Sequence, residues 1–366
     1  MKNRFALLCL FCLITLLVII SCQSTPTTPT DTGEIPSKIT KAAFILAEGL
    51  WEKNNSSITL YNFPNSTVYQ NFYGKANPNL VLGDGANDIV LHGDTAFVAV
   101  SNSHSIDAFR ISTGKFVGRI RDSSNFYPRK ICIINDSSAF FTDAFSNCIY
   151  QFNPKNFTFN KNKILVGPAP ELITSIGNKI LIANSAWGDL YADKPKAGTI
   201  SVIDANTKIE IANLKSGENT VEVISAPNKN RFYTCYYNLP SKKDSGGIVE
   251  YDGETLMELR RWHLNSTHIK LNSTSDILYY IGWNGIYSIN LNEISPKPLL
   301  LIPNNKSDEF WYTFSITPDD SRIWIGNAKD YSVAGEVLVY DIKATSFPLF
   351  KFDCGINPNT IVFYGY

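Results

Sequence analysis

The sequence predicts an all-β fold: a seven-bladed β-propeller of four-stranded blades, with a C-terminal strand closing the first blade. Three observations carry this. A six-residue strand pattern recurs seven times, its copies lie about 46 residues apart on average, and one strand is left over at the C-terminus. Residues 316–342 show the unit in one copy. Pro318-Asp319-Asp320 signals a tight turn, residues 322–325 are β-prone, and a loop leads to a second strand that closes on Asp341.

Taken in chain order, the first segment is not part of the repeat. Lys2 and Arg4 precede an apolar run over residues 5–21, which gives way after Cys22 to a Thr/Pro-rich stretch. This resembles a bacterial lipoprotein signal with its lipobox, which implies cleavage, acylation of Cys22 and anchoring in a lipid bilayer. A transmembrane anchor is the alternative, and about 17 apolar residues is the short limit for one. Several acyl chains at about 0.8 kcal/mol per buried CH₂ would hold the chain firmly. Gln23 in place of Asp favours the outer membrane by the same resemblance, at the cell surface or on the periplasmic face. The domain plan is therefore a signal over 1–21, a tether over 22–41 and the propeller over 42–366.

The seven copies of the third strand of each blade begin at Ser57, Ser105, Cys148, Thr199, Gly247, Gly285 and Glu336. Position two is always β-branched, from Ile58 to Val337, and position five is large and apolar, from Tyr61 to Tyr340. Position six is Asn, Arg or Asp, a strand exit into a turn. The preceding strand recurs in register through Phe44, Phe97, Phe140, Leu181, Tyr233, Tyr279 and Trp324. Before it, in every copy but the first, comes another short run and a hairpin turn. The first copy lacks that run, and residues 359–366 can supply it, so that the ring closes without an exposed edge.

TPDDSRIWIGN resembles the SPDGKxLYVTN repeat of the YVTN, or YncE-like, seven-bladed propellers over about residues 42–366. Residues 44–51, the Leu82-Gly83-Asp84 turn and Gly355-Ile356-Asn357-Pro358 further resemble a group of Bacteroidetes lipoproteins of this type. The resemblance implies a ligand-binding propeller. Some members of the group capture vitamin B12 at the cell surface and pass corrinoid to an outer-membrane transporter.

Loops that join the second strand to the third differ in length and should all emerge on one face. They carry the aromatics Trp51, Phe145, Trp187, Tyr191, Tyr236, Tyr237, Trp283 and Tyr331, with Asp330 beside the last. Aromatics on an exposed rim suit a flat, amphipathic or sugar-like ligand, or a partner protein. Alignment places Asn87, Arg129, Glu171, Asn219, His268, Tyr312 and Asn359 at the start of the innermost strands, ringing the channel mouth. Arg129 could donate to a carboxylate, phosphate or amide, or could pair with Glu171.

Equal counts of Lys+Arg and Asp+Glu, 33 each, argue against a nucleic-acid binder. No GxSxG, HExxH, Walker or Rossmann string is present, and neither a cofactor nor a metal is expected. One enzymatic alternative remains open: Glu48-Gly49-x-Trp51 resembles the EGPxW of gluconolactonase-like propellers, which implies a metal-dependent hydrolase. Pro318-Asp319-Asp320 lacks the spacing of a calcium loop and reads as an ordinary turn. His92 sits at a turn and reads as solvated. Cys132, Cys148, Cys235 and Cys354 form no CxxC pair and read as buried free thiols.

Overall fold

The computed structural model describes residues 28–31, 33, 38–122, 126–242 and 244–366. The signal segment and Cys22 lie outside the described residues. The described chain forms seven four-stranded antiparallel sheets arranged as a seven-bladed propeller. In the first, β28 (Pro358–Tyr364) pairs with β1 (Ala42–Ala47), so the last strand of the chain closes the first blade as expected.

The register is the one the repeat predicts. Phe97 stands third in β5 (Thr95–Val100) and Trp324 third in β25 (Arg322–Asn327), while Ile106 stands second in β6 (Ser105–Arg110). Period-two alternation then gives each sheet two apolar faces. Phe97 packs toward the third blade, against Phe141 and Phe152. Its neighbour Val98 packs toward the first, with Phe44 and Leu60. Among the described residues, one apolar cluster fills each of the seven junctions between blades. The junction of the last blade with the first centres on Trp324, which is fully buried and lies edge-on to Tyr61 at 5.2 Å.

Position six of the third strand shapes the outer turns through its side chain. Asp204 Oδ1 accepts the amides of Asn206 and Thr207, and Asp252 Oδ1 those of Glu254 and Thr255. Asp320, on the face away from the channel mouth, accepts the Ser273 amide and hydroxyl at 2.9 and 2.6 Å. That turn therefore joins adjacent blades.

Two expectations need correcting. Ile39, assigned to the tether, is 1% exposed in the core of the first two blades, and its amide donates to Ser112 O. The Thr/Pro composition around it hides a single anchoring side chain. His92 ends β4 (Ala86–His92) half-buried, with Nε2 at 2.7 Å from Asp136, so its ring is paired. Cys132, Cys148, Cys235 and Cys354 are buried free thiols. Burial raises the thiols, to about 11 at Cys132 and about 12 at Cys148, which keeps them protonated at neutral pH.

Candidate functional site

The channel mouth is built from one backbone device repeated around the ring. Each innermost strand slips register at its second or third residue: Asn87 in β4, Arg129 in β8 (Pro128–Asn135), Glu171 in β12 (Pro170–Ile176), Val221 in β16 (Thr220–Ala226), His268 in β20 (Thr267–Leu271), Tyr312 in β24 (Trp311–Ile316) and Asn359 in β28. A bulged residue leaves the hydrogen-bond ladder and re-aims its side chain. Six of the seven residues expected at the mouth occupy these bulges and line a central channel of about 520 Å³. Asn219 does not. It precedes β16 in a left-handed conformation (φ 61°), its carbonyl accepts the Tyr237 amide, and Val221 takes the bulge instead.

Arg129 forms the pair with Glu171. Nε donates to Glu171 Oε2 at 2.7 Å, and Nη1 donates to Asn87 Oδ1 at 2.5 Å. The Glu171 charge raises the guanidinium further above its ordinary value, against the opposing effect of burial. Both Asn87 N–H groups are engaged as well, because its Nδ2 donates to Gly85 O and Ser101 Oγ.

Across the mouth, Glu222 Oε1 lies 2.7 Å from His268 Nδ1, and its Oε2 accepts the Ile269 amide at 2.8 Å. Burial works to raise this carboxyl. The His268 charge and hydrogen bond, Lys270 and the Ile269 amide outweigh burial and hold it at about 2. Tyr237 turns toward this pair, its hydroxyl 3.4 Å from Glu222 Oε1, so it belongs to the channel wall and not to the rim. Burial first, then the Glu222 charge, push its phenol well above the ordinary value.

A second cavity of about 360 Å³ opens beside the channel and shares Asn87 and Arg129 with it. It is a cleft across the second blade. Trp51 of the first blade stands on one side, and Tyr127, Phe145 and Trp187 of the third and fourth blades stand on the other. The second blade between them contributes only Gly85, Asn87, Ser101 and Asn102, which keeps the cleft low there. The aromatic wall is continuous. Ring centres lie at 4.6 Å for Tyr127–Phe145 and 4.9 Å for Phe145–Trp187, and His104 backs Tyr127 at 4.4 Å. Ala186 and Trp187 are both left-handed (φ 53° and 47°), an uncommon conformation for a bulky residue that the Ser185 hydroxyl supports by accepting the Trp187 amide.

The floor is polar. Glu48 faces inward, with Oε2 accepting the Tyr312 hydroxyl at 3.0 Å. Burial, then the Glu48 charge, raise that phenol above its ordinary range. Asn357 Nδ2 donates to Gly49 O, and its Oδ1 is buried without a partner among the described residues.

Other expected rim residues fall elsewhere. Tyr236 is 3% exposed, a correction with a simple cause: it is the sixth residue of β17 (Arg231–Tyr236) and shares parity with Phe232, which faces the fourth blade. Its ring lies on Gly217 and Gly247, where an added Cβ would come within 2.3 and 2.2 Å. Tyr191 backs Trp187 at 5.6 Å without lining the cleft. Tyr331 packs tilted against Phe310 and edge-on to Tyr312 on the seventh blade, and Asp330 accepts the Ser332 and Val333 amides of its own loop. Trp283 is 86% exposed and has no ring neighbour among the described residues. Sequence reasoning missed Tyr127, Asn357 and Glu222. The Tyr-Pro-Arg run that opens β8, with Tyr127 just before the strand, was the available signal for the first.

Among the described residues, no group of three or more His, Cys, Asp or Glu stands close enough to hold a metal ion, and no helix is long and apolar enough to cross a membrane. No curated protein matches the chain. Solved structures are similar in fold at low identity. A quinonprotein alcohol dehydrogenase-like protein from Bacteroides thetaiotaomicron aligns at 16% identity and a TM-score of 0.67, covering 89% of this chain and 79% of its own. A protein from Lactobacillus plantarum aligns at 11% and 0.65, covering 88% and 99%. Kuenenia stuttgartiensis hydrazine synthase aligns at 14% and 0.58, covering 72% and 81%. These likenesses speak to the propeller alone. Family assignment rests on sequence: over residues 41–314 the chain matches DUF5074, a domain of unknown function, and it belongs to that family.

Proposed function

We propose that the protein is a lipoprotein, anchored to the outer membrane through acylated Cys22, that captures a small-molecule ligand at the propeller mouth without transforming it. The cleft across the second blade carries this reading. It sets aromatic surface on two sides of a polar floor, beside a channel whose bulges aim side chains inward. Trp51 is 67% exposed and Phe145 more than half exposed, area that a planar ligand would cover. A corrinoid for hand-over to an outer-membrane transporter is the most concrete ligand, supported by the resemblance of the repeat to YVTN-type lipoproteins. A glycan or a partner protein is the competing form.

The test is direct. Purified mature protein mixed with cyanocobalamin at micromolar concentration is expected to turn pink and keep its colour through desalting, and a Trp51→Ala/Trp187→Ala variant is expected to lose it. A colourless eluate sinks the corrinoid reading. Full retention by the double variant removes the cleft from it.

A further inference from the structure

Within the cleft, the hydrogen-bonding capacity left over on the floor narrows the chemistry of the ligand. This step rests on the cleft being a ligand site, as proposed above. Arg129 has spent Nε on Glu171 and Nη1 on Asn87, and its Nη2 donates no hydrogen bond among the described residues. Glu48 has spent Oε2 on Tyr312, and its Oε1 accepts none. Asn357 Oδ1 is buried and unmet, while Asn87 has no N–H left to donate and its Oδ1 is already engaged by Arg129. All four residues line the cleft. The floor therefore offers one unused guanidinium nitrogen, with its two N–H groups, and two unmet acceptor oxygens, of which Asn357 Oδ1 is the more deeply covered.

From this pattern we infer that the floor recognises a neutral primary carboxamide carried on a planar or ring-shaped body. The carbonyl oxygen would accept from Arg129 Nη2, and the two N–H groups would donate to Glu48 Oε1 and Asn357 Oδ1. Competing groups fit worse. A carboxylate or phosphate supplies no donor, so both acceptors stay unmet, and its charge would sit beside Glu48 while Arg129 is already neutralised by Glu171. An ammonium supplies no acceptor for Nη2 and brings a second cation against the guanidinium. Arg129 thus fixes the orientation of a neutral group and does not act as an anion hook.

Nicotinamide and nicotinate make a matched pair of probes, equal in ring and size and different in that one group. Ligand-observed saturation-transfer NMR on the mature protein should show nicotinamide binding and nicotinate at least about tenfold weaker, as expected for a like charge placed near Glu48. Glu48→Gln, which keeps an acceptor for Tyr312, should narrow the gap by admitting nicotinate. Trp187→Ala should weaken both probes alike. Nicotinate binding as well as nicotinamide, or a gap that Glu48→Gln leaves unchanged, overturns the inference while leaving the cleft as a site. No binding of either probe overturns the inference, and cyanocobalamin retention by the same protein then decides separately whether the cleft stands as a site.

Discussion

On one side of the mouth the Glu171 carboxylate of the fourth blade meets the Arg129 guanidinium of the third; on the other, the Glu222 carboxylate of the fifth meets the His268 imidazole of the sixth. Both pairs bridge neighbouring blades at the mouth, Glu171 from its bulge and Glu222 from the residue just after one, and in both the anion is the more buried partner. Their surroundings differ. Arg129 opens onto an aromatic cleft, whereas His268 and Glu222 face only the channel, with Tyr237 against them. A place at the mouth does not settle the role, and the neighbouring loops decide whether a charged pair becomes part of a recognition surface or a brace between blades.

The largest effect is expected at the brace. Glu222 is held at about 2 in the fold, against an ordinary glutamate value of 4.5. Its depressed value contributes on the order of 3 kcal/mol of stability above pH 4.5, a contribution lost as pH falls toward 2. Glu222→Gln should therefore destabilise the propeller by about that amount at pH 7, and by progressively less below pH 4.5. Urea denaturation of both proteins at pH 7, 4 and 3 checks this. A difference that stays constant across the three would remove Glu222 as the source.

Arg129→Met should come next. It leaves Glu171 buried without its partner and Asn87 Oδ1 without a donor. Breaking a fully buried pair costs about 3–5 kcal/mol; the guanidinium here is more than one-third exposed and partly screened, so about 2 kcal/mol is expected. Replacing Glu171 as well, by Leu, should recover most of that loss, because the unpaired charge goes with it. A double-mutant cycle reads the coupling, and additive losses would show that the pair contributes nothing beyond its separate side chains.

The same contrast explains what the sequence discloses and what it conceals. Blade count, strand register and the closing strand follow from which side chains must be buried, and burial repeats with the strand: Phe97 and Trp324 hold the same place because both fill a junction between blades. The site depends on exceptions to that regularity. Tyr236 and Tyr237 are adjacent in sequence and reach opposite destinations, since one is the last residue of its strand and the other the first beyond it. Asn219 falls two residues short of the bulge: it holds the left-handed place that Gly85, Ala169 and Asn357 hold ahead of the bulges at Asn87, Glu171 and Asn359, and a polar residue there looks in sequence like the bulged one. Tyr127 and Asn357 come from segments on either side of the second blade. They share a cleft only because the ring brings the first and third blades to the flanks of that low one.

The smallest stability effect is expected where the functional effect should be large. Trp51 stands 67% exposed, has no ring neighbour among the described residues, and lies in a loop held by others: the Leu50 amide donates to Asn55 Oδ1 and the Glu52 amide to Asp84 Oδ2. Its truncation removes little buried area, so Trp51→Ala should shift stability by no more than about 0.5 kcal/mol. Phe145 makes a useful counterpart. It is also more than half exposed, yet it bridges Tyr127 and Trp187, so its loss should loosen the whole opposite wall and cost more. Thermal melts of the two alanine variants, set beside their uptake of cyanocobalamin, separate contact from support. If Trp51 serves only as a ligand surface, its variant keeps the parent melting temperature and loses the ligand; a substantial drop in melting temperature would instead place Trp51 in the scaffold and leave the aromatic wall across the second blade to bind without a counterpart.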